Sequence, residues 1–452
     1  NAGKAVKVQQ ETANMAKPIV AIVGRPNVGK STLFNRLTGR RQAIVSDIAG
    51  TTRDRVIAET TWGNKPFLLI DTGGLDFLSE SDIWIKVQDQ IQYAIEECTV
   101  ILLLVDTVDG ITASDRDVVD LIRVVGKPVI LVASKSDNED RISLSTEFYE
   151  LGLGDPVPVS AYHNIGLDHL MERVLEYFPE ETESFEPEAD MKLSIIGRTN
   201  VGKSLLLNSI VGDNRAIVSE VSGTTRDSLD SMIKFRERDI RLVDTAGIRR
   251  RGRIERGVER YSVLRSVNAI YRCDVAALII DASESPTSQD THIANYILEA
   301  YKGIVIVVNK WDLSKELRLT KREMEAEVRS KFKFAPYAPV CFTSGLNQTG
   351  IEELLNVALR VQVEWSKGVP RPDIRRTILT AVAEHPPATQ GKRELKIYSA
   401  MQDSTMPPSF TFFVNHSDMV HFSYKRYLEN RLREEYKFEG CPLRMRFRGW
   451  KG

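Results

Sequence analysis

The sequence predicts an α/β protein in which one unit, a mostly parallel sheet with helices on both faces, occurs twice and is followed by a smaller α+β domain. Three observations carry that prediction. Residues 24–54 and 197–227 align without a gap at an offset of 173, with 19 of 31 positions identical, so the chain contains an internal duplication. Each copy alternates apolar strands with helical segments, the pattern of a parallel sheet with crossover helices. Finally, 452 residues are too many for one core, and about 150 residues per domain leaves room for three.

In the first copy Ile19–Val23 is an apolar strand entering a glycine loop, and Ser31–Leu37 opens a helix. Phe67–Ile70, Val100–Val105 and Pro128–Ala133 are further strands, with helices expected over Val87–Glu96 and Asp115–Val124. The second copy places Lys192–Ile196, Ile240–Val243, Val275–Ile280 and Ile304–Val308 correspondingly. The offset holds at Asp71/Asp244, then drifts to 175 at Ser134/Asn309 and 184 at Ser160/Ser344, as loop insertions produce. The last domain reads as helix Asp373–Glu384, strands Leu395–Ala400 and Phe410–Val414, helix Lys425–Tyr436 and strand Leu443–Phe447. The expected domains are 17–180, 191–366 and 367–452, with an acidic linker over 181–190. Residues 1–16 read as an appended or disordered extension, with Met15 a natural start.

Net charge is −1, but residues 367–452 hold 16 Lys+Arg against 9 Asp+Glu, a net of +7 that leaves −8 for the remainder. Such a basic end meets an anionic partner or is simply a solvated face. Four scattered cysteines with no C-x-x-C pair give neither a zinc site nor a disulfide framework, and point to a reducing compartment, the cytoplasm. The longest apolar runs, such as Val100–Val105, have five or six residues where a membrane helix needs about 20, and no signal-peptide core precedes them.

Gly24-Arg25-Pro26-Asn27-Val28-Gly29-Lys30-Ser31, followed by Thr32, and Gly197-Arg198-Thr199-Asn200-Val201-Gly202-Lys203-Ser204 both fit G-x-x-x-x-G-K-[ST] between a strand and a helix. The glycines let backbone N–H groups wrap phosphates, the helix adds its positive end, lysine reaches the outer phosphates and serine takes Mg²⁺. Base identity is read elsewhere. Asn309-Lys310-Trp311-Asp312 follows a strand, and its aspartate can accept from guanine N1–H and the 2-amino group. Adenine has no donors there, and sites built for a specific polar edge reject the wrong ligand by about 10⁴–10⁵. The first copy has Ser134-Lys135-Ser136-Asp137: guanine specificity should persist, with affinity or loop order reduced because serine replaces the asparagine that ties this loop to the phosphate loop. Nucleotide dissociation constants before and after Ser134→Asn check that expectation. Ser160-Ala161 and Ser344-Gly345 fit the late guanine-contacting element.

Asp71-Thr72-Gly73-Gly74 and Asp244-Thr245-Ala246-Gly247 each begin 47 residues after the first glycine of their phosphate loop. The aspartate would reach Mg²⁺ through water and the last glycine the γ-phosphate. Thr52 and Thr225, from Thr51-Thr52 and Thr224-Thr225, are the expected switch threonines. The expected Mg²⁺ set is therefore Ser31, Thr52 and Asp71, repeated as Ser204, Thr225 and Asp244; the expected catalytic set is Lys30, Thr52 and Gly74, repeated as Lys203, Thr225 and Gly247. Leu75 and Ile248 stand where Ras-like enzymes carry the water-orienting glutamine. Hydrolysis is then slow or uses another charge-stabilising element, for which we expect a monovalent cation, K⁺, held partly by Asn27 and Asn200. Arg249-Arg250-Arg251-Gly252-Arg253 would contact a phosphate backbone or a partner domain, or lie solvated as a loop.

These residues closely resemble the bacterial double Era-like GTPase family, also called Der or EngA, over essentially the whole chain after residue 17. The likeness extends to Asp244-Thr-Ala-Gly-Ile-Arg-Arg-Arg251, Pro407-Pro-Ser-Phe-Thr-Phe-Phe-Val-Asn-His416 and His421-Phe-Ser-Tyr-Lys-Arg-Tyr-Leu-Glu-Asn430. The resemblance implies two P-loop GTPase domains and a C-terminal KH-like domain, in a monomer that binds GTP or GDP with Mg²⁺. It further implies a GTPase that binds the ribosome, assists assembly of the large (50S) subunit and is stimulated by K⁺. Ser134 and Thr199 depart from the family's asparagine and proline. No G-x-x-G loop of the kind that clamps RNA joins the elements of the last domain, which favours contacts with the GTPase domains over sequence-read ribosomal RNA. The leading expectation is an assembly factor whose nucleotide state sets its domain arrangement. The alternative is a nucleotide-gated RNA-binding adaptor in which turnover is incidental.

Overall fold

Apolar runs of five to seven residues bounded by polar loops form the central strands, as burial on both faces requires of a parallel sheet. The computed structural model describes residues 17–39, 57–72, 98–179, 189–213, 230–245, 261–387 and 393–450. The chain divides into two units, Asn1–Phe185 and Glu186–Gly452. The sequence-based expectations for 1–16, the linker stretch 181–188 and the helix Val87–Glu96 lie outside the described residues.

The first unit runs β1 (Ile19–Val23), α1 (Lys30–Gly39), β2 (Ile57–Trp62), β3 (Lys65–Asp71), β4 (Val100–Asp106), α2 (Ala113–Val125), β5 (Val129–Ser134), α3 (Glu139–Leu144), β6 (Val157–Val159) and α4 (Leu167–Glu176). The strand order is β2-β3-β1-β4-β5-β6. Every pairing is parallel except that of β2 with β3, a hairpin at the sheet edge. All five residues of β1 and all seven of β4 are buried. Because β3 and β4 lie on opposite sides of β1, the crevice at the carboxyl ends of these strands is where ligands of such sheets bind. Asp71, Asp106 and Ser134 end β3, β4 and β5, while Gly24 and Ser160 follow β1 and β6, so the sequence-predicted residues converge on one edge.

The second unit repeats this as β7 (Met191–Ile196), α5 (Lys203–Asp213), β8 (Ser231–Phe235), β9 (Arg238–Val243), α6 (Tyr261–Arg272), β10 (Val275–Asp281), α7 (Ser288–Glu299), β11 (Gly303–Asn309), α8 (Lys321–Lys331), β12 (Val340–Phe342) and α9 (Ile351–Trp365). It continues into α10 (Arg371–Glu384), β13 (Ile397–Thr405), β14 (Pro408–Val414), α11 (Phe422–Tyr436) and β15 (Arg444–Gly449). The large sheet has the order β12-β11-β10-β7-β9-β8, matching the first copy strand for strand. In the small sheet β14 is central, antiparallel to β13 and parallel to β15.

The C-terminal elements share a core with the second copy. Val361 and Trp365 of α9 belong to the same buried cluster as Ile378, Phe410, Phe412 and Leu428. Polar contacts fasten the same seam: Gly440 N–H donates to Tyr337 O at 2.8 Å, and Ile304 N–H at the start of β11 donates to Gly440 O at 2.8 Å. Trp365 Nε1 donates to Tyr301 O at 2.8 Å, and the Arg433 guanidinium lies 3.7 Å from the centre of the Tyr337 ring. No described helix is long and apolar enough to cross a membrane.

Candidate nucleotide sites

Both phosphate loops are shaped by close backbone approach. A Cβ on Gly24 would lie 2.5 Å from Leu104 O of β4, and one on Gly197 2.4 Å from Ile279 O of β10, so only glycine lets each loop cross its neighbouring strand. Asn27 and Asn200 adopt left-handed backbone at φ 67° and 63°, which asparagine tolerates better than most residues. Val28 and Val201 plug the loops into the core. Lys30 Nζ donates to Gly24 O and Arg25 O, each at 2.8 Å, and Lys203 Nζ donates to Gly197 O at 2.7 Å and to Arg198 O. The ammonium groups thus sit inside the loops, held by their carbonyls.

Each P-loop arginine reaches the next helix. Arg25 pairs with Asp109 at 2.7 Å and approaches Asp115 at 3.5 Å; Arg198 pairs with Glu284 at 2.6 Å and approaches Asp290 at 3.6 Å. Asp115 and Asp290 are the N3 acids of capping boxes closed by Thr112 and Thr287. Next to the first loop, Ser31 Oγ donates to Asp71 Oδ2 at 2.6 Å, which brings together a hydroxyl and a buried carboxylate, the hard oxygen donors that Mg²⁺ prefers. In the second copy Asp244 has φ 59° and its N–H donates to Asp230 Oδ1 at 2.9 Å, while Arg272 holds Asp230 Oδ2 at 2.7 Å. Thr72 donates to Ile22 O at 2.8 Å, and the Thr245 hydroxyl lies 2.8 Å from that of Ser231. Thr52, Gly73, Gly74, Leu75, Thr225, Ala246, Gly247, Ile248 and Arg249–Arg253 lie outside the described residues.

At the base-reading loops Lys135 and Lys310 are left-handed, at φ 59° and 61°. Their ammonium groups pair with Asp106 and Asp281, the latter at 2.6 Å. Burial alone would raise the Asp281 carboxyl, but Lys310 and Ser283 hold it below the ordinary carboxylate range. Sequence reading missed both acids; the only signal was an Asp closing each apolar strand run. Asp137 Oδ1 accepts from Ser160 Oγ at 2.7 Å, and Asp312 Oδ1 accepts from Ser344 Oγ.

Known proteins resemble the chain over nearly its whole length. A family model described as a 50S ribosome-binding GTPase matches residues 19–135 and again 192–310, and one described as the KH-domain-like C-terminal part of EngA bacterial GTPase enzymes matches 369–448. GTPase Der of Chloroflexus aggregans is 48% identical over 441 residues, covering 96% of this chain and 98% of its own. GTPase Der of Alkaliphilus metalliredigens is 44% identical over 439 residues, covering 97% of this chain and 100% of its own. The chain belongs to the Der GTPase family. It hydrolyses GTP.

Within this Der chain the two base loops are tied down differently. Asn309 Nδ2 donates to Val201 O at 2.8 Å, while its Oδ1 accepts from Thr343 Oγ1 at 3.1 Å and Gly345 N–H at 3.2 Å, so one amide joins three segments. Ser134 was expected to lose the tie to the phosphate loop. It keeps that tie: its Oγ donates to Val28 O at 2.5 Å. What the shorter side chain cannot do is span to the Ser160–Ala161 loop, where Val159 also replaces the hydroxyl of Thr343. All four cysteines are buried, and burial pushes the Cys273 and Cys341 thiols up to about 12.

Proposed function

We propose that both sites bind GTP and GDP and that turnover drives assembly of the large (50S) ribosomal subunit by a monomeric, cytoplasmic protein that contacts ribosomal RNA. The observation that carries this reading is the duplicated pairing of a lysine-filled phosphate loop with a serine-braced aspartate at the same sheet edge. Lys30 and Lys203 exchange loop carbonyls for phosphate oxygens, and the loop amides take the remaining phosphate charge. Asp137 and Asp312 accept from guanine N1–H and the 2-amino group. Bound Mg²⁺ would neutralise charge across the β- and γ-phosphates, held by Ser31, Asp71 and Thr52 or by Ser204, Asp244 and Thr225.

The family description as a 50S ribosome-binding GTPase and the net charge of +7 over 367–452 support the ribosomal partner. Co-sedimentation with large-subunit particles should be strongest with a non-hydrolysable GTP analogue and weaker with GDP or no nucleotide; equal binding in all three states overturns the nucleotide-set arrangement. Leu75 and Ile248 cannot orient water, so we further propose K⁺ beside the α- and γ-phosphates near Asn27 and Asn200. Replacing K⁺ by Na⁺ should slow turnover at least roughly tenfold, a small share of the about 10³–10⁵ that an arginine supplies at that position. Equal rates in the two buffers would exclude the cation.

A further inference from the structure

Arg141 lies on α3, four residues after Asp137; in the second copy the residue four after Asp312 is Glu316, in a turn before α8. Its Nη1 donates to Asp137 Oδ2 at 2.5 Å and lies 3.4 Å from Lys135 O. Its backbone is fixed as well, because Arg141 N–H donates to the N-cap Asn138 Oδ1 at 2.9 Å. The Asp137 carboxylate is therefore gripped from two sides, by Ser160 on Oδ1 and Arg141 on Oδ2. An ionised carboxylate has about four acceptor positions, so two remain for the N1–H and 2-amino donors of guanine.

We propose that Arg141 is the positioning residue of the first base site, replacing from outside the bracing that Asn309 gives the second site from within. The proposal rests on the reading of Asp137 as the guanine acceptor. The two devices are complementary. The first copy has Ser134, Val159 and Arg141; the second has Asn309, Thr343 and Glu316. Where the three-way amide bridge is missing, a cation ties the carboxylate and the loop carbonyl to the following helix.

The test uses the full chain carrying Lys203→Ala, which removes the phosphate-gripping ammonium of the second site so that nucleotides of either base report on the first, and compares GDP with IDP, which lacks the 2-amino group. Arg141→Ala should weaken GDP binding about threefold, the scale of a half-exposed ion pair, and IDP binding less, so that the GDP/IDP preference falls. Arg141→Lys should retain part of the preference, and adding Ser134→Asn to Arg141→Ala should recover part of it, because an amide side chain can reach both Val28 O and the Ala161 N–H. Unchanged or tighter GDP binding in Arg141→Ala, or an unchanged GDP/IDP ratio, overturns the proposal. Asp137→Asn separates the two failures: it should abolish GDP binding, and if it does not, Asp137 is not the acceptor and the role of Arg141 falls with it.

Discussion

Asp312→Asn is expected to convert the second site from guanine to xanthine nucleotides, with GDP affinity falling by about 10⁴. The aspartate offers two acceptors to two guanine donors. An asparagine amide offers one acceptor and one donor, so its NH₂ would face the guanine 2-amino group and leave both unsatisfied, a costly arrangement in a partly closed site. Xanthine keeps N1–H but carries a carbonyl at C2, which restores complementarity. The side chain will stay in place, because Ser344 Oγ braces Oδ1 and the preceding Lys310 is anchored to Asp281. Dissociation constants for GDP and XDP measured on wild type and variant check the outcome; retained GDP binding at the second site would show that the base is read elsewhere.

Gly440→Ala is expected to destabilise the second unit by about 2–4 kcal/mol, combining about 1–2 kcal/mol for left-handed backbone with overpacking of the seam. Gly440 has φ 70°, and a Cβ there would lie 2.6 Å from Val361 Cγ2 and 2.9 Å from Ile304 O. Neither neighbour yields cheaply: Val361 is fully buried and Ile304 donates its N–H to Gly440 O. Chemical denaturation followed by tryptophan fluorescence reads the loss, since Trp365 sits at the seam with its indole N–H on Tyr301 O. Protease sensitivity between α9 and α10 should rise in parallel. A midpoint equal to that of wild type would mean that the seam contributes nothing.

The strand-to-helix phosphate loops and the loops carrying Asp137 and Asp312 were legible in the sequence because each depends on residues within a few positions of one another. The central strands were legible for a related reason: burial on both faces leaves an uninterrupted apolar run. Edges were harder. β2 reads Ile-Ala-Glu-Thr-Thr-Trp and lies half exposed, so its pattern competes with that of a loop, and β13 continues through the irregularity at Asp403 only because β14 pairs with Gln402 and Ser404 on either side. The pairing of Lys135 with Asp106 spans 29 residues, and the bond from Ser134 to Val28 spans 106; no local pattern announces either. The reach of one hydroxyl decided whether the first base loop stays joined to its phosphate loop, and reach is a property of the folded backbone. For the same reason the shared core of the second copy and the C-terminal elements could not be seen in a composition shift at residue 367.

β11 is a strut with a load at each end. At its first residues Ile304 is fastened to Gly440 of the C-terminal elements; at its last, Asn309 holds the phosphate loop and the Gly345 loop together. Seven residues at about 3.3 Å each give a length of roughly 20 Å. The strand that carries Asn309 is therefore fastened at both tips, to the C-terminal elements where it begins and to the phosphate loop where it ends.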